Sequence, residues 1–167
     1  MDLLRVIEMA WAAVGRDCKN RPIPSERALQ AYFYYHLRTK FASAVTLLVE
    51  PRLRVGETDR IPDLYISKDD EAWFIEIKFQ NAANQGIVWQ SDFRKFAEIE
   101  NVLSTQQSMS LSTRGMFAGA AIPKKRSYLF AVVGDGSCEA LDLIRMRAGV
   151  APIRNRPSRL FMARGIT

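Results

Sequence analysis

Residues 61–79 constrain the fold more tightly than any other stretch, because they alternate apolar and charged side chains around a short polar turn: IPDLYISKDDEAWFIEIKF. The two alternating runs predict a β-hairpin with strands over 61–67 and 72–79. Side chains point to opposite faces of a strand in turn, so Glu76 and Lys78 would share one face, opposite the apolar residues between them. The hairpin is therefore expected to have one charged face and one apolar face.

Asp63 follows Pro62 in the first predicted strand and would lie beside Glu76 across the hairpin. Two adjacent carboxylates repel each other unless a cation or a proton lies between them. Carboxylate oxygens are the ligands that hard divalent cations prefer, and Lys78 would contact whatever such a cation binds. The pattern indicates a metal site beside a basic group, which suits a phosphodiester substrate. The simpler interpretation is a same-face ion pair on a half-exposed strand, where Glu-x-Lys is common.

The composition fits a single globular domain. The chain has 167 residues, of which 48% are apolar, and no apolar run approaches the roughly 20 residues of a membrane span. Asp2, Arg5 and Glu8 interrupt the apolar N-terminal segment, which argues against a secretory signal peptide. Cys18 and Cys138 lie far apart without metal-binding spacing, so two free thiols and a cytoplasmic location are expected, with a disulfide as the alternative.

His36 is the only histidine in the sequence and lies within a predicted amphipathic helix. One histidine and two distant cysteines argue against a zinc site, which needs three or four nitrogen and sulfur ligands. Any metal chemistry in this chain is therefore expected to use oxygen ligands.

The charge distribution favours an anionic partner. The net charge is +6, and after Asp142 the chain contains no acidic residue but six arginines: Arg145, Arg147, Arg154, Arg156, Arg159 and Arg164. A second basic cluster precedes a predicted strand and consists of Lys124, Lys125 and Arg126. Guanidinium groups match phosphate oxygens, so these clusters predict contacts with a nucleic-acid backbone. The alternative is a solvated surface that keeps the protein soluble.

Helices and strands alternate along the chain, which predicts an α/β fold with a central mixed β-sheet flanked by helices. One helix begins at the N-cap Ser25 and runs to about Lys40. Glu26 lies on its apolar stripe, where it either meets a partner from the sheet or complements the helix dipole at the surface. The other predicted helices cover 2–14, 87–103 and 137–147, and further strands cover 44–55, 127–133 and 159–163. Pro51 interrupts the first of these strands, which marks it as an edge strand or as the site of a bulge. No repeat or linker interrupts the chain, so residues 1–167 are expected to form one domain.

The order of these elements and motifs resembles the PD-(D/E)-x-K nuclease superfamily, which has the restriction-endonuclease-like fold. The matching positions are Pro62 and Asp63, then, after twelve intervening residues, Glu76, Ile77 and Lys78, with Glu26 on the preceding helix. The resemblance covers a core of about 25–133, while the N-terminal helix and the arginine-rich C-terminal segment 143–167 lie outside it.

The resemblance implies a metal-dependent endonuclease that hydrolyses DNA phosphodiester bonds. Asp63, Glu76 and the carbonyl oxygen of Ile77 would hold Mg²⁺ or Mn²⁺. Lys78 would orient the attacking water or stabilise charge on the phosphate. Glu26 would hold a water of that ion or a second ion. The helix after the catalytic strand would supply secondary polar residues, which here are Gln90, Asp92 and Lys95.

Two other functions are compatible with the same residues. One is a non-catalytic nucleic-acid-binding or scaffold protein with the same fold, and the other is an RNA-cleaving member of the superfamily. A double-strand cut usually requires two active sites, which makes a homodimer an additional hypothesis.

Overall fold

The structure is a computed structural model that describes residues 2–20, 23–41, 45–55, 57–79, 90–105, 108–112, 117–133, 141–146 and 161–162. The helices in these ranges are α1 (Leu3–Asn20), α2 (Glu26–Lys40) and α3 (Gln90–Thr105). The strands are β1 (Thr46–Val49), β2 (Arg52–Val55), β3 (Thr58–Arg60), β4 (Leu64–Lys68), β5 (Glu71–Phe79), β6 (Ser108–Ser112), β7 (Phe117–Ala121), β8 (Lys125–Val133), β9 (Leu141–Met146) and β10 (Phe161–Met162).

The first sheet has six strands in the order β1-β4-β5-β8-β9-β10. β5 and β8 are parallel, as are β9 and β10, whereas the remaining neighbours are antiparallel. The parallel pair needs a long crossover, which α3, β6 and β7 supply between β5 and β8. The prediction of an α/β fold with a mixed sheet is confirmed.

The predicted hairpin is also confirmed, with a shorter turn than expected. β4 and β5 pair from Leu64 opposite Ile75 to Lys68 opposite Glu71, so the loop contains only Asp69 and Asp70. Asp69 adopts a positive φ of 52°, a left-handed conformation that aspartate tolerates better than most residues. This register brings Asp63, the residue before β4, next to Glu76.

Helices cover both faces of the six-stranded sheet. On one face, Ile75 and Ile77 of β5 pack in a core cluster with residues of α1 and α2, such as Leu29 and Phe33. On the other face, Phe74 packs with residues of α3 and the second sheet. Alternation along β5 places Glu76 and Lys78 together on the α3 face, so the prediction that they share a face is confirmed. The prediction that this face is charged is wrong, because Ala72 and Phe74 lie on it as well and pack in the second core cluster.

The predicted strand over residues 44–55 is divided between two sheets. β1 lies at the edge of the first sheet, whereas β2 belongs to a four-stranded sheet in the order β3-β2-β6-β7. The chain changes sheets at Glu50, whose φ is 46°, followed by Pro51. Proline cannot donate a ladder hydrogen bond, which explains why one continuous strand does not form here.

Both N-terminal helices form, but α1 is longer than predicted. It continues through Gly15 to Asn20, because the apolar stripe extends from Val14 to the buried Cys18. The N-cap prediction for α2 is confirmed, since the Ser25 hydroxyl oxygen accepts a hydrogen bond from the Ala28 amide at 3.2 Å.

Two further predictions are wrong. The helix expected over residues 137–147 is replaced, within its described part, by β9, which pairs antiparallel with β8. Pairing with an exposed strand edge overrides the helical pattern of these few residues. Cys18, expected as a free thiol, is disulfide-bonded. In the described ranges, no helix has the length and apolarity needed to cross a membrane.

Candidate functional site

The site lies where β4 begins and its neighbour β5 continues. Because the first β4 residue, Leu64, pairs with Ile75, β5 has no backbone partner from β4 at Ile77 and Phe79. Carboxylates take this role: Asp63 Oδ2 accepts the Ile77 N–H at 2.6 Å, and Glu26 Oε2 accepts the Phe79 N–H at 3.2 Å. Glu26 therefore meets a partner from the sheet, which was one of the two expected alternatives.

The carbonyl of Ile77 belongs to the same edge. In an antiparallel ladder, the N–H and C=O of one residue point to the same neighbouring strand. The Ile77 N–H points to Asp63, so its carbonyl oxygen points to this side as well, between the positions of Asp63 and Glu26. Two carboxylates and one carbonyl thus converge on one short stretch of strand edge.

Glu76 is buried between β5 and α3, with only 1% of its surface exposed. Lys95 of α3 donates to Glu76 Oε1 at 2.6 Å and to the Ile61 carbonyl at 3.1 Å. The Lys78 ammonium lies 3.7 Å from Glu76 Oε2. The charged face is therefore not open to solvent at Glu76, and the secondary residue Lys95 contacts this carboxylate more closely than Lys78 does.

Burial perturbs both acidic groups. It raises the pKa of Glu76 to about 8, with repulsion from Asp63 adding to the effect and the charges of Lys95 and Lys78 opposing it. Burial also raises the pKa of Asp63, against the hydrogen bond from Ile77. The two lysines therefore offset only part of the cost of placing two carboxylates side by side.

A pocket of about 100 Å³ opens beside Asp63 and is lined by Glu26, Arg27, Gln30, Glu50 and Asp63. The buried Glu76 and its neighbour Lys78 are not among these lining residues. Arg27, Gln30 and Glu50 were not predicted as site residues. Gln30 lies one helical turn after Glu26, so its proximity to the site follows from helix geometry. Glu50 comes next to Asp63 only because β1 pairs with β4, which the sequence does not reveal.

The donor set fits a divalent cation that prefers oxygen. Asp63, Glu76 and the Ile77 carbonyl provide hard ligands at one edge, and a cation there would relieve the repulsion between the two carboxylates. Within the described ranges, no cluster of three or more His, Cys, Asp or Glu side chains is arranged to bind a metal. The expected set contains only two such side chains, Asp63 and Glu76, so a cation bound there would need the Ile77 carbonyl and water to complete its shell.

The predicted nucleic-acid-binding residues fall into different environments. Arg126 donates to both carboxylate oxygens of Glu100, at 2.8 and 2.6 Å, so its guanidinium takes part in an internal ion pair. Lys124 is exposed and forms a surface ion pair with Asp70 at 3.2 Å, and Lys125 begins β8 with its side chain exposed. The other predicted nucleic-acid contacts, Arg154, Arg156 and Arg159, lie outside the described residues. Gln90 and Asp92, which were predicted as secondary polar residues of the site, lie in α3 with side chains outside the described part of the structure.

Comparisons with protein-family models, with curated proteins and with solved structures find no match to this chain. The functional argument therefore depends on the residues and their geometry.

Proposed function

We propose that the protein is a metal-dependent endonuclease that hydrolyses DNA phosphodiester bonds, with a restriction-endonuclease-like core. The observation that carries the proposal is the register that sets Asp63 beside Glu76, with Lys78 3.7 Å from Glu76. A buried carboxylate beside a half-buried one is costly, and such costs are often found at functional sites. The spacing of Pro62-Asp63 and Glu76-Ile77-Lys78 supports the same class.

Each residue has a role that follows from its position. Asp63, Glu76 and the Ile77 carbonyl hold Mg²⁺ or Mn²⁺, which when bound polarises the scissile phosphate and lowers the pKa of a water molecule. Lys78 orients the attacking water or stabilises charge on the phosphate. Glu26, fixed by the Phe79 amide, faces the same pocket and orients water at its edge.

Lys95 has a separate role in this proposal. Its ammonium holds Glu76 Oε1 and ties α3 to the Ile61 carbonyl, just before Pro62 and Asp63. It therefore fixes the orientation of Glu76 and neutralises part of its charge while the cation is absent.

The net charge of +6 and the arginines after Asp142 support a nucleic-acid substrate. Lys124 and Lys125 remain candidates for phosphate contact, whereas Arg126 is better explained by its ion pair with Glu100. DNA is preferred over RNA because, among the residues that the structure describes, no feature of the site indicates recognition of a 2′-hydroxyl.

The test is nicking of supercoiled plasmid by the full chain, with Mg²⁺, with Mn²⁺ and with EDTA. Wild-type protein should convert plasmid to open circles only with a divalent cation, and Asp63→Asn should abolish conversion. Glu57→Gln is a matched control, because it removes an exposed carboxylate from the β2–β3 turn. Retained nicking by Asp63→Asn would refute the role assigned to Asp63.

If wild-type protein binds DNA but does not nick it with either cation, the non-catalytic alternative replaces this proposal. Cleavage of single-stranded RNA in preference to plasmid would correct the substrate class and leave the site assignment in place.

A further inference from the structure

Gln30 is a buried polar residue in contact with the site, and the proposed mechanism gives it no role. It lies on α2, one turn after Glu26, and is 8% exposed. Its Nε2 atom lies 3.2 Å from the Asp63 carbonyl oxygen and 3.4 Å from Glu50 Oε1. Both partners are acceptors, so only the amide NH₂ group satisfies them. A buried amide with both donors engaged has one fixed orientation.

The Asp63 carbonyl receives a second hydrogen bond on the same side. The Glu50 amide donates to it at 2.9 Å, which extends the β1–β4 ladder one residue beyond Val49 and Leu64. Glu50 makes this contact with a φ of 46°, a conformation that costs a non-glycine residue energy and persists when its surroundings fix it. Asp63 is thus held by its main chain on one side and by its carboxylate, through Ile77, on the other.

We infer that Gln30 is a positioning residue that, together with Glu50, holds Asp63 in the orientation required for cation binding. This inference rests on the proposed function for its cation and goes beyond it in assigning residues that do not touch the cation. Asp63 lies just before the start of β4, where the backbone normally has more conformational freedom than within a strand. It must nevertheless present one carboxylate oxygen to the Ile77 amide and the other to a ligand. Residues that orient metal ligands typically change metal affinity by 10- to 100-fold when they are substituted.

The experiment compares wild-type protein, Gln30→Met and the control Phe33→Leu. Methionine keeps the length of the side chain but removes the donor. Phe33 is fully buried on the same helix and its substitution lowers stability without touching Asp63. Calorimetric titration with Mn²⁺ gives the affinity for the cation. Hydrogen exchange of the apo protein gives the protection of the Ile77 and Glu50 amides relative to the core amide of Leu129.

Gln30→Met should raise the Kd for Mn²⁺ about tenfold and should accelerate exchange at Ile77 and Glu50 about tenfold relative to Leu129. Phe33→Leu should change neither the Kd for Mn²⁺ nor the exchange of Ile77 and Glu50 relative to Leu129. A second variant, Gln30→Lys, keeps a donor within reach of the Asp63 carbonyl and should retain the protection of Ile77. If Gln30→Lys retains the protection of the Ile77 amide and Gln30→Met does not, Gln30 acts through its hydrogen bond and not through packing alone.

Equal behaviour of Gln30→Met and Phe33→Leu in both measurements would overturn the inference and leave Gln30 as a stabilising residue. Absence of Mn²⁺ binding by the wild type would instead refute the proposed cation site, while the exchange ratios still decide whether Gln30 holds Asp63.

Discussion

Glu76→Gln should remove the loss of stability with rising pH that the buried Glu76 causes. Glutamine has the shape of glutamic acid but stays neutral, so the variant resembles the wild-type protein with Glu76 protonated. Glu76 is 1% exposed and its pKa is raised to about 8, first by burial and then by Asp63. Between its ordinary pKa of 4.5 and about 8, the folded state binds more protons than the unfolded state. Wild-type stability from this group is therefore complete below pH 4.5 and is lost as pH rises through 8.

The size of the effect follows from the displacement of the pKa. At about 1.4 kcal/mol per pKa unit, the shift from 4.5 to about 8 corresponds to about 5 kcal/mol between the two ends of the range. This value is a ceiling, because water entering the native site reduces the cost of the buried charge. Even half of it would be a large fraction of the stability of a domain of this size.

Urea unfolding in EDTA at pH 5, 6, 7 and 8 measures the difference in the free energy of unfolding between the wild-type protein and Glu76→Gln. The variant should match the wild type near pH 5 and exceed it by several kcal/mol at pH 8. Glu57→Gln, which removes an exposed carboxylate, should follow the wild type throughout. A difference in the free energy of unfolding that stays constant with pH would refute the claim that Glu76 is a buried carboxylate that is destabilised when charged. A variant that loses stability relative to the wild type as pH rises would refute it as well.

Three further outcomes are expected. At a hundredfold excess of Mg²⁺ over Kd, the free energy of unfolding of the wild-type protein should rise by about 2.7 kcal/mol. Asp63→Asn should lose most of the accompanying rise in melting temperature, whereas Lys78→Ala should keep it. A rise that is kept by Asp63→Asn and lost by Lys78→Ala would contradict the assigned roles. Removal of Arg154, Arg156 and Arg159 should lower the slope of log DNA affinity against log salt by about 0.9 per lost contact. An unchanged slope would mean that these arginines do not contact phosphates. Tyr128→Phe, which removes a 2.6 Å hydrogen bond to Glu100, should cost about 1.5–3 kcal/mol in urea unfolding, and a neutral result would deny that this bond anchors α3 to β8.

The hairpin and its neighbours could be predicted because their signals are local. Alternation and a polar turn define β4 and β5, and the register follows from the short loop. That register is enough to bring Asp63 to Glu76 and to send Lys78 to the same face.

The remainder of the site depends on contacts between distant segments. Burial of Glu76 comes from α3, whose Lys95 arrives 19 residues later in the chain. Glu50 reaches Asp63 because the chain leaves β1 at a positive φ, and β9 forms because the edge of β8 offers a partner. Local periodicity carries no information about such pairings. This explains why the interruption at Pro51 does not reveal a change of sheet within 44–55, and why the pattern of 137–147 indicates a helix.

The central claim is that the open edge of β5 holds a divalent cation, and diffraction from a crystal soaked in Mn²⁺ tests it most directly. The account predicts an anomalous peak within ligand distance of the Asp63 and Glu76 carboxylates and the Ile77 carbonyl oxygen, and predicts its loss in Asp63→Asn. A soaked crystal with Mn²⁺ bound elsewhere, and with Glu76 still paired with Lys95 and Lys78, would contradict the claim.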